Sequence, residues 1–173
     1  MGEIAGEAGV ASGTFYNHFP TLMDLVESIS AELGQGVEIA SATLDSIDND
    51  PAARVVVGAV QLLSLVEQDK ISAAAFVSLL ATIPTFRGHI RSIVQRTIEA
   101  GVDADRFHVP DVVAATDAIL GAITQWIRSD LVGESQKVDP ASRANLLMRL
   151  LGVDPASIDG VVSRAQEAMV KTR

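Results

Sequence analysis

Cysteine is absent from this sequence, which excludes disulfide bonds and thiolate chemistry. Aromatic residues make up only 4% of the 173 residues, and small and aliphatic residues dominate, a composition typical of helical bundles rather than β-sandwiches. The longest uncharged apolar run, residues 71–86, contains Pro84 and falls short of the roughly 18 apolar residues that a membrane span needs. No secretory signal is visible at the N-terminus. We therefore expect a cytoplasmic protein without a membrane partner.

Lys and Arg are also absent from the first fifty residues, where nine Asp and Glu side chains occur. Acidic and basic residues balance in the rest of the chain, so the whole net charge of −9 lies in this first segment. A segment that binds nucleic acid is expected to be basic, because it has to neutralise phosphates. The charge distribution therefore argues against strong DNA binding by the N-terminal segment.

The N-terminal segment nevertheless has the layout of a helix-turn-helix. Residues 2–8 predict a short helix, Gly9 a tight turn with positive φ, and residues 12–19 a second helix. Phe15 and Phe19 lie four residues apart, so they share one face of the second helix and are expected to pack inward. The other side chains of that helix then point away from this core, as in a helix that enters the DNA major groove.

The remainder of the chain predicts helices throughout, with no strand pattern, internal repeat or low-complexity segment. A long helix is expected to begin at a capping box of Thr21 and Asp24 and to run to about residue 47. Gly101 is predicted to end a later helix, because glycine favours the conformation that follows a helix end. Asp-Pro pairs are predicted to open three helices, with Asp as the cap and Pro at the first helical position. The further helices are expected at about residues 51–68, 71–83, 86–100, 110–131, 140–151 and 155–171.

The segment Ala8-Gly9-Val10, followed by Phe15-Tyr16-Asn17-His18-Phe19-Pro20, resembles the DNA-binding signature of the TetR family of bacterial transcriptional regulators. The resemblance implies an all-α fold, with a helix-turn-helix head at residues 1–40 and a helical effector-binding and dimerisation body at residues 41–173. It also implies a homodimer that binds palindromic operator DNA. Binding of a small molecule is then expected to release the dimer from the DNA.

Two features depart from the family pattern. The helix that usually precedes the segment at Ile4 is absent, so the predicted DNA-binding head is partial. Leu22 stands where many family members have a lysine that meets a phosphate. Both departures remove cations from the DNA-facing side, and we expect them to weaken DNA binding.

The candidate DNA contacts lie on the second predicted helix and just after it. Small polar and aromatic side chains there suit hydrogen bonding to base edges or phosphates. Ser12 is also a candidate N-cap of this helix, and Gly13 would allow its backbone to approach the groove. The predicted DNA-binding residues are Ser12, Gly13, Thr14, Tyr16, Asn17, His18 and Thr21.

In the body, large apolar side chains with a few polar neighbours are candidates for a pocket that takes a small apolar effector. The predicted pocket residues are Phe76, Phe86, His89, Gln125 and Trp126, although such residues are more often ordinary core or surface positions. The helix at 110–131 is apolar on more than one face, which predicts burial against a partner subunit. Together with the helices of residues 140–171 it is the predicted homodimer interface. A candidate stripe for that contact is Leu146, Leu147, Leu150 and Leu151.

Two hypotheses from different classes follow for the function. The first is a ligand-responsive transcriptional regulator, a repressor, which binds operator DNA as a homodimer. The second is a small-molecule-binding or interaction dimer that has lost DNA binding, which the acidic head favours. Neither an enzyme nor a cofactor or metal site is expected, because the three histidines are far apart in the sequence and no phosphate-binding loop or nucleophile elbow occurs.

Overall fold

The computed structural model describes residues 1–47, 50–133 and 138–171, and these residues form helices and turns with no strand. The predicted all-α class is therefore confirmed. The helices are α1 (Gly2–Glu7), α2 (Ser12–His18), α3 (Leu22–Ile47), α4 (Pro51–Gln68), α5 (Lys70–Thr82), α6 (Pro84–Asp103), α7 (Val112–Leu131), α8 (Pro140–Leu150) and α9 (Pro155–Lys171).

Helix α3 connects the head to the body. It begins at the predicted capping box, because the Asp24 carboxylate accepts hydrogen bonds from both the amide and the hydroxyl of Thr21, at 2.8 and 2.7 Å. The helix packs against α4 and α6. It crosses the predicted boundary between residues 40 and 41 without a break, and this division into head and body stays a prediction.

Helix α4 lies at the centre of the body, where it contacts α3 and each of α5 to α9. Its buried face is small and aliphatic, with Val56, Val57 and Leu63 among the buried residues. All three predicted Asp-Pro helix starts are present. Asp50, Asp139 and Asp154 each accept a hydrogen bond from the amide two residues later, at 3.0 to 3.2 Å.

The prediction that Gly101 ends a helix is wrong, because α6 continues to Asp103. Gly101 is buried, and the ring of Phe107 lies directly against its backbone. The residue in the left-handed conformation after α6 is Asp105, with a φ of 55°. Close packing with Phe107, and not a turn, therefore accounts for the glycine at position 101.

The predicted leucine stripe of α8 divides into two faces. Leu147 and Leu151 are fully buried, whereas Leu146 and Leu150 are 48% and 46% exposed. On the neighbouring helix α7, Ile119, Ile123 and Ile127 are buried in the core, and the opposite side of the helix is exposed. Each helix thus covers the core with one face and presents the other to solvent.

Helices α5 and α6 meet at Pro84, where the chain bends by 101°. No single helix among the described residues is both long enough and apolar enough to cross a membrane, and this pair meets those criteria only when its two helices are taken together across the bend.

Candidate DNA interface and effector site

The turn between α1 and α2 has the geometry of a helix-ending glycine motif. Gly9 adopts a φ of 67°, as predicted, and its amide donates to the carbonyl of Gly6 at 3.1 Å. The amide of Val10 donates to the carbonyl of Ala5, also at 3.1 Å. These two bonds satisfy carbonyls at the end of α1 and fix the direction in which α2 leaves the turn.

Helix α2 buries one side and exposes the rest. Phe15 is 7% exposed, and its ring lies 5.5 Å from that of Phe19, which is half-buried. The contact between α1 and α2 is small, and Ala5 is the buried residue of α1. All seven predicted DNA-binding residues are exposed: Ser12, Gly13, Thr14, Tyr16, Asn17, His18 and Thr21.

The prediction that Ser12 caps α2 is wrong, because Ala11 is the N-cap residue and Ser12 is the first helical residue. Ala11 has no side-chain oxygen, and no side chain caps the first amides of the helix. The hydroxyl of Ser12 is therefore not engaged as an N-cap, and the amides at the start of α2 need another acceptor.

Thr21 differs from the other candidate contacts, because its hydroxyl group already serves the start of α3. The hydroxyl donates to Asp24 at 2.7 Å and accepts from the Asp24 amide at 3.2 Å. Donation of this proton to a DNA phosphate would require the hydroxyl to turn away from Asp24. The Thr21 hydroxyl is thus less available than those of Ser12 and Thr14 as a hydrogen-bond donor to DNA.

The head is acidic at its surface. Glu3, Glu7, Asp24, Glu27 and Glu32 are exposed, and the sequence supplies no Lys or Arg before Arg54 to offset them. Any phosphate contact by the head therefore depends on donors other than Lys and Arg, namely hydroxyl, amide and imidazole groups and the backbone.

Two of the five predicted pocket residues are in direct contact. Phe76 and Phe86 are 2% and 3% exposed, and their rings meet edge to face with centroids 5.6 Å apart. His89 lies at the surface one turn after Phe86. A Cβ on Gly34 of α3 would lie 3.0 Å from Cδ2 of His89, so the imidazole packs against the helix that bears the head.

The other two predicted pocket residues lie on α7. Gln125 is exposed and donates to Ser129 at 3.3 Å. Trp126 is half-buried beneath the guanidinium of Arg143, which lies 5.5 Å from the centre of the indole ring. Of the five residues, Phe76 and Phe86 are in contact, whereas Gln125 and Trp126 pair with other residues, and the role of all five as one effector pocket stays a prediction.

Sequence reasoning missed Arg143, whose side chain is only 7% exposed. It donates two hydrogen bonds to the carboxylate of Asp130, at 2.5 and 2.7 Å, and thereby joins α7 to α8. The hydrogen bond from Asp130 raises the pKa of Arg143 above its usual value, although burial acts in the opposite direction. The sequence carried one signal, because Arg143 precedes Leu147, a residue of the predicted apolar stripe, by four residues and so shares a face of α8 with it.

A groove with a volume of about 470 Å³ lies between α8 and α9. Its lining is mostly polar and includes none of the five predicted pocket residues. The lining residues are Asp139, Ala141, Ser142, Asn145, Asp159, Val162 and Ser163.

Comparison with solved structures identifies similar folds. RolR without ligand is 24% identical, with a TM-score of 0.67 over 93% of this chain and 84% of RolR. RolR in complex with resorcinol is also 24% identical, with a TM-score of 0.71 over 94% and 82% of the two chains. A bacterial regulatory protein of the tetR family from Rhodococcus RHA1 is 27% identical, with a TM-score of 0.65 over 88% and 85%.

Comparison of the sequence with the curated proteins finds no match. The family model for the tetracyclin repressor-like C-terminal domain matches residues 50–164, which include all of α4 to α8 and most of α9. This match covers well over half of the chain, and the helical architecture agrees with it. The chain therefore belongs to the TetR family of transcriptional regulators.

Proposed function

We propose that this protein is a cytoplasmic, ligand-responsive transcriptional repressor, which binds operator DNA as a homodimer through α1 and α2. Regulators of the TetR family bind operator DNA and small-molecule ligands and are generally not enzymes. Repression, the dimer and the individual contact residues are the parts of the proposal that need experiment.

The observation that carries the proposal is the exposed surface of α2. Phe15 turns inward, while the hydroxyl, amide and imidazole groups of Thr14, Asn17 and His18 are exposed around it. A short helix held by a fixed turn, with polar side chains on its outer face, suits insertion into the major groove. Asn is suited to bidentate recognition of adenine, and Tyr16 to a phosphate contact.

The geometry of α7 and α8 supports a homodimer. The ion pair of Arg143 with Asp130 joins α8 to α7. Leu146 and Leu150 lie four residues apart, one turn along α8, and both are exposed. On α7 the exposed residues include Ala114, Ala118, Gly121 and Gln125. We define the α7–α8 surface as these six exposed residues.

The α7–α8 surface is suited to pairing with a second copy. Small residues on α7 allow two helices to approach closely, and the two leucines supply apolar area beside them. Two heads held by such a dimer would lie about one helical turn apart along the DNA, as a palindromic operator requires. The part of the predicted 140–171 interface that this argument favours is α8.

The effector response is proposed to act on the position of α3. Helix α6 carries Phe86 in the core and His89 against Gly34, so a ligand bound near this contact would change how α3 sits on the body. Such a ligand shifts DNA binding only if it has different affinities for the DNA-bound and DNA-free arrangements of the two heads.

The acidic surface of the head favours the alternative function, a small-molecule-binding or interaction dimer without DNA binding. Phosphate neutralisation by Lys and Arg supplies most of the non-specific affinity of DNA-binding proteins, and these residues are absent from the head. The two functions therefore differ most clearly in DNA affinity and in its dependence on salt.

The experiment that separates them begins with selection of duplexes from a random DNA library by the purified protein. Binding to the selected duplex is then followed by fluorescence anisotropy over a series of salt concentrations. We expect a selected sequence with two related half-sites, and a loss of about 1–3 kcal/mol in binding for Asn17→Ala, larger on the selected site than on unrelated DNA.

Thr85→Ala is the matched control, because Thr85 is an exposed hydroxyl residue in the body, far along the chain from α2. It should bind the duplex as the parent protein does. If no sequence is enriched, and binding of unrelated DNA is equally weak for the parent and for Asn17→Ala, the alternative function replaces the repressor.

A further inference from the structure

Three separate elements meet at the carboxylate of Asp50, the cap residue of α4. Oδ1 accepts from the amide of Ala52 at 3.0 Å and from Nε of Arg106 at 3.1 Å. Oδ2 accepts from Nη2 of Arg106 at 2.8 Å and from Nη2 of Arg164 at 3.2 Å. We define Asp50, Arg106 and Arg164 as the Asp50 cluster.

The Asp50 cluster lies where the helix that bears the head gives way to the body. Helix α3 ends at Ile47, and α4 begins at Pro51, immediately after Asp50. The side chain of Asp50 is only 15% exposed, so its bonds to the two arginines are partly shielded from water. Asp50 thus fixes the start of α4, and α3 packs against α4.

Arg106 is held firmly by the loop between α6 and α7. Its amide donates to the carbonyl of Gly101 at 2.8 Å, and the neighbouring Phe107 is 2% exposed against the same glycine. The amide of His108 donates to the carbonyl of Leu151 at 2.8 Å, at the end of α8. The loop thus ties the end of α8 to Arg106, and Arg106 ties it to Asp50.

Arg164 adds a weaker connection from α9. Its side chain is 53% exposed, and one of its nitrogens reaches Asp50, whereas Arg106 binds Asp50 through two nitrogens and is 33% exposed. Paired, planar contacts between a guanidinium and a carboxylate are stronger and more directional than single ones. The ion pair of Asp50 with Arg106, in the loop after α6, is therefore the stronger of the two, and the ion pair with Arg164 of α9 is the weaker.

We propose that the Asp50 cluster couples the positions of α8 and α9 to the position of α3, and so sets where each head lies relative to the body. This inference concerns regulation and rests on the proposed function, in which the spacing of the heads controls DNA binding. Asp50 is a positioning residue in this scheme, since it acts on the start of α4 and, through the packing of α4, on α3.

The test measures the distance between head and body within a single chain. The natural sequence has no cysteine, so Ser12→Cys on α2 and Ser78→Cys on α5 place two spin labels at exposed positions. Labelled protein is diluted with unlabelled protein, so that pulsed electron paramagnetic resonance reports pairs within one chain. Neither DNA nor effector is needed, and failure of the proposed function would leave this measurement intact.

Asp50→Asn is the decisive variant, because asparagine caps a helix as well as aspartate but carries no charge for the two arginines. We expect its head-to-body distance distribution to shift or broaden relative to the parent, and Arg164→Gln to show a smaller change. Arg91→Gln is the matched control, since it breaks the Arg91–Asp117 pair between α6 and α7, outside the cluster. It should leave the distribution unchanged.

Hydrogen exchange supplies a second readout if Asp50→Asn is poorly folded. In Arg106→Gln, amides of residues 52–56 should exchange on the order of tenfold faster, because a hydrogen bond to a charged group stabilises the closed state by about that factor or more. An unchanged distance distribution in a folded Asp50→Asn protein overturns the proposal. So does an equal change in Arg91→Gln, or unchanged exchange in Arg106→Gln.

Discussion

The ring of Phe107 fills the space in which a side chain at position 101 would lie, so a Cβ on Gly101 would overlap the ring. We predict that Gly101→Ala destabilises the protein by about 1–3 kcal/mol, because the ring and the loop that holds it have to move. The shift of the midpoint in urea unfolding, followed by circular dichroism, measures this effect.

Gly88→Ala is the matched control in the same helix. A Cβ at position 88 meets no atom within 4 Å, and the residue is exposed. This substitution should raise stability by up to about 1 kcal/mol, because alanine favours the helix over glycine. Equal effects at both positions would show that helix propensity, and not contact with Phe107, governs position 101.

Local sequence signals located the helices well, because they act between neighbouring residues. The Asp-Pro starts of α4, α8 and α9 are where the sequence predicted them, and the Thr21–Asp24 capping box opens α3. The end of α6 was not predictable in this way. Gly101 is a common helix-ending residue, and its contact with Phe107 depends on how the following loop folds back.

The candidate site shows the same division. The inward position of Phe15 follows from its spacing to Phe19 on a helix, and the exposure of the polar residues of α2 follows from it. Which large body residues lie together depends instead on contacts between helices. The sequence alone could not predict that Phe76 contacts Phe86, or that Trp126 pairs separately with Arg143.

The ion pair between Asp130 and Arg143 leads to a second prediction about stability. Asp130→Asn leaves the largely buried guanidinium of Arg143 without its charged partner. We expect a loss of about 2 kcal/mol, below the roughly 3–5 kcal/mol of a fully buried pair, because Asp130 is 22% exposed.

Trp126 provides a local reporter for this prediction, since it is the single tryptophan of the chain and lies beneath Arg143. Its emission should shift in Asp130→Asn even without denaturant. Arg91→Gln, which breaks a more exposed pair, should shift the unfolding midpoint less than Asp130→Asn does. An unchanged unfolding midpoint in Asp130→Asn would argue that the buried pair adds no net stability.

The Asp50 cluster predicts a stability that depends on pH. Burial raises the pKa of Asp50, but the hydrogen bonds from Arg106 and Ala52 and the charges of Arg106 and Arg164 outweigh it, so the pKa lies below its usual value of 3.8. A carboxyl group whose pKa is lower in the folded state stabilises the protein above its unfolded pKa, and this contribution is lost as the pH falls through the folded pKa.

Urea unfolding of the parent and of Asp50→Asn at a series of pH values tests this. We expect a constant difference in unfolding free energy at neutral and mildly acidic pH, which shrinks below pH 3.8 as the carboxyl group of the parent takes up a proton. A difference that stays the same over the whole range would mean that the charge of Asp50 contributes nothing to stability.

The proposed dimer predicts that a charge on the α7–α8 surface separates the subunits. Leu146→Glu and Leu150→Glu each place a carboxylate where an apolar side chain would be buried against the partner, and we expect a cost of roughly 2 kcal/mol or more, about thirtyfold in Kd. Sedimentation velocity over a range of concentrations measures the dimer fraction.

Ile71→Glu is the control, because Ile71 is 83% exposed on α5 and lies outside the α7–α8 surface. Both leucine variants should sediment as monomers at concentrations where the parent and Ile71→Glu are dimers, and a parent that is itself monomeric throughout would remove the dimer from the proposed mechanism.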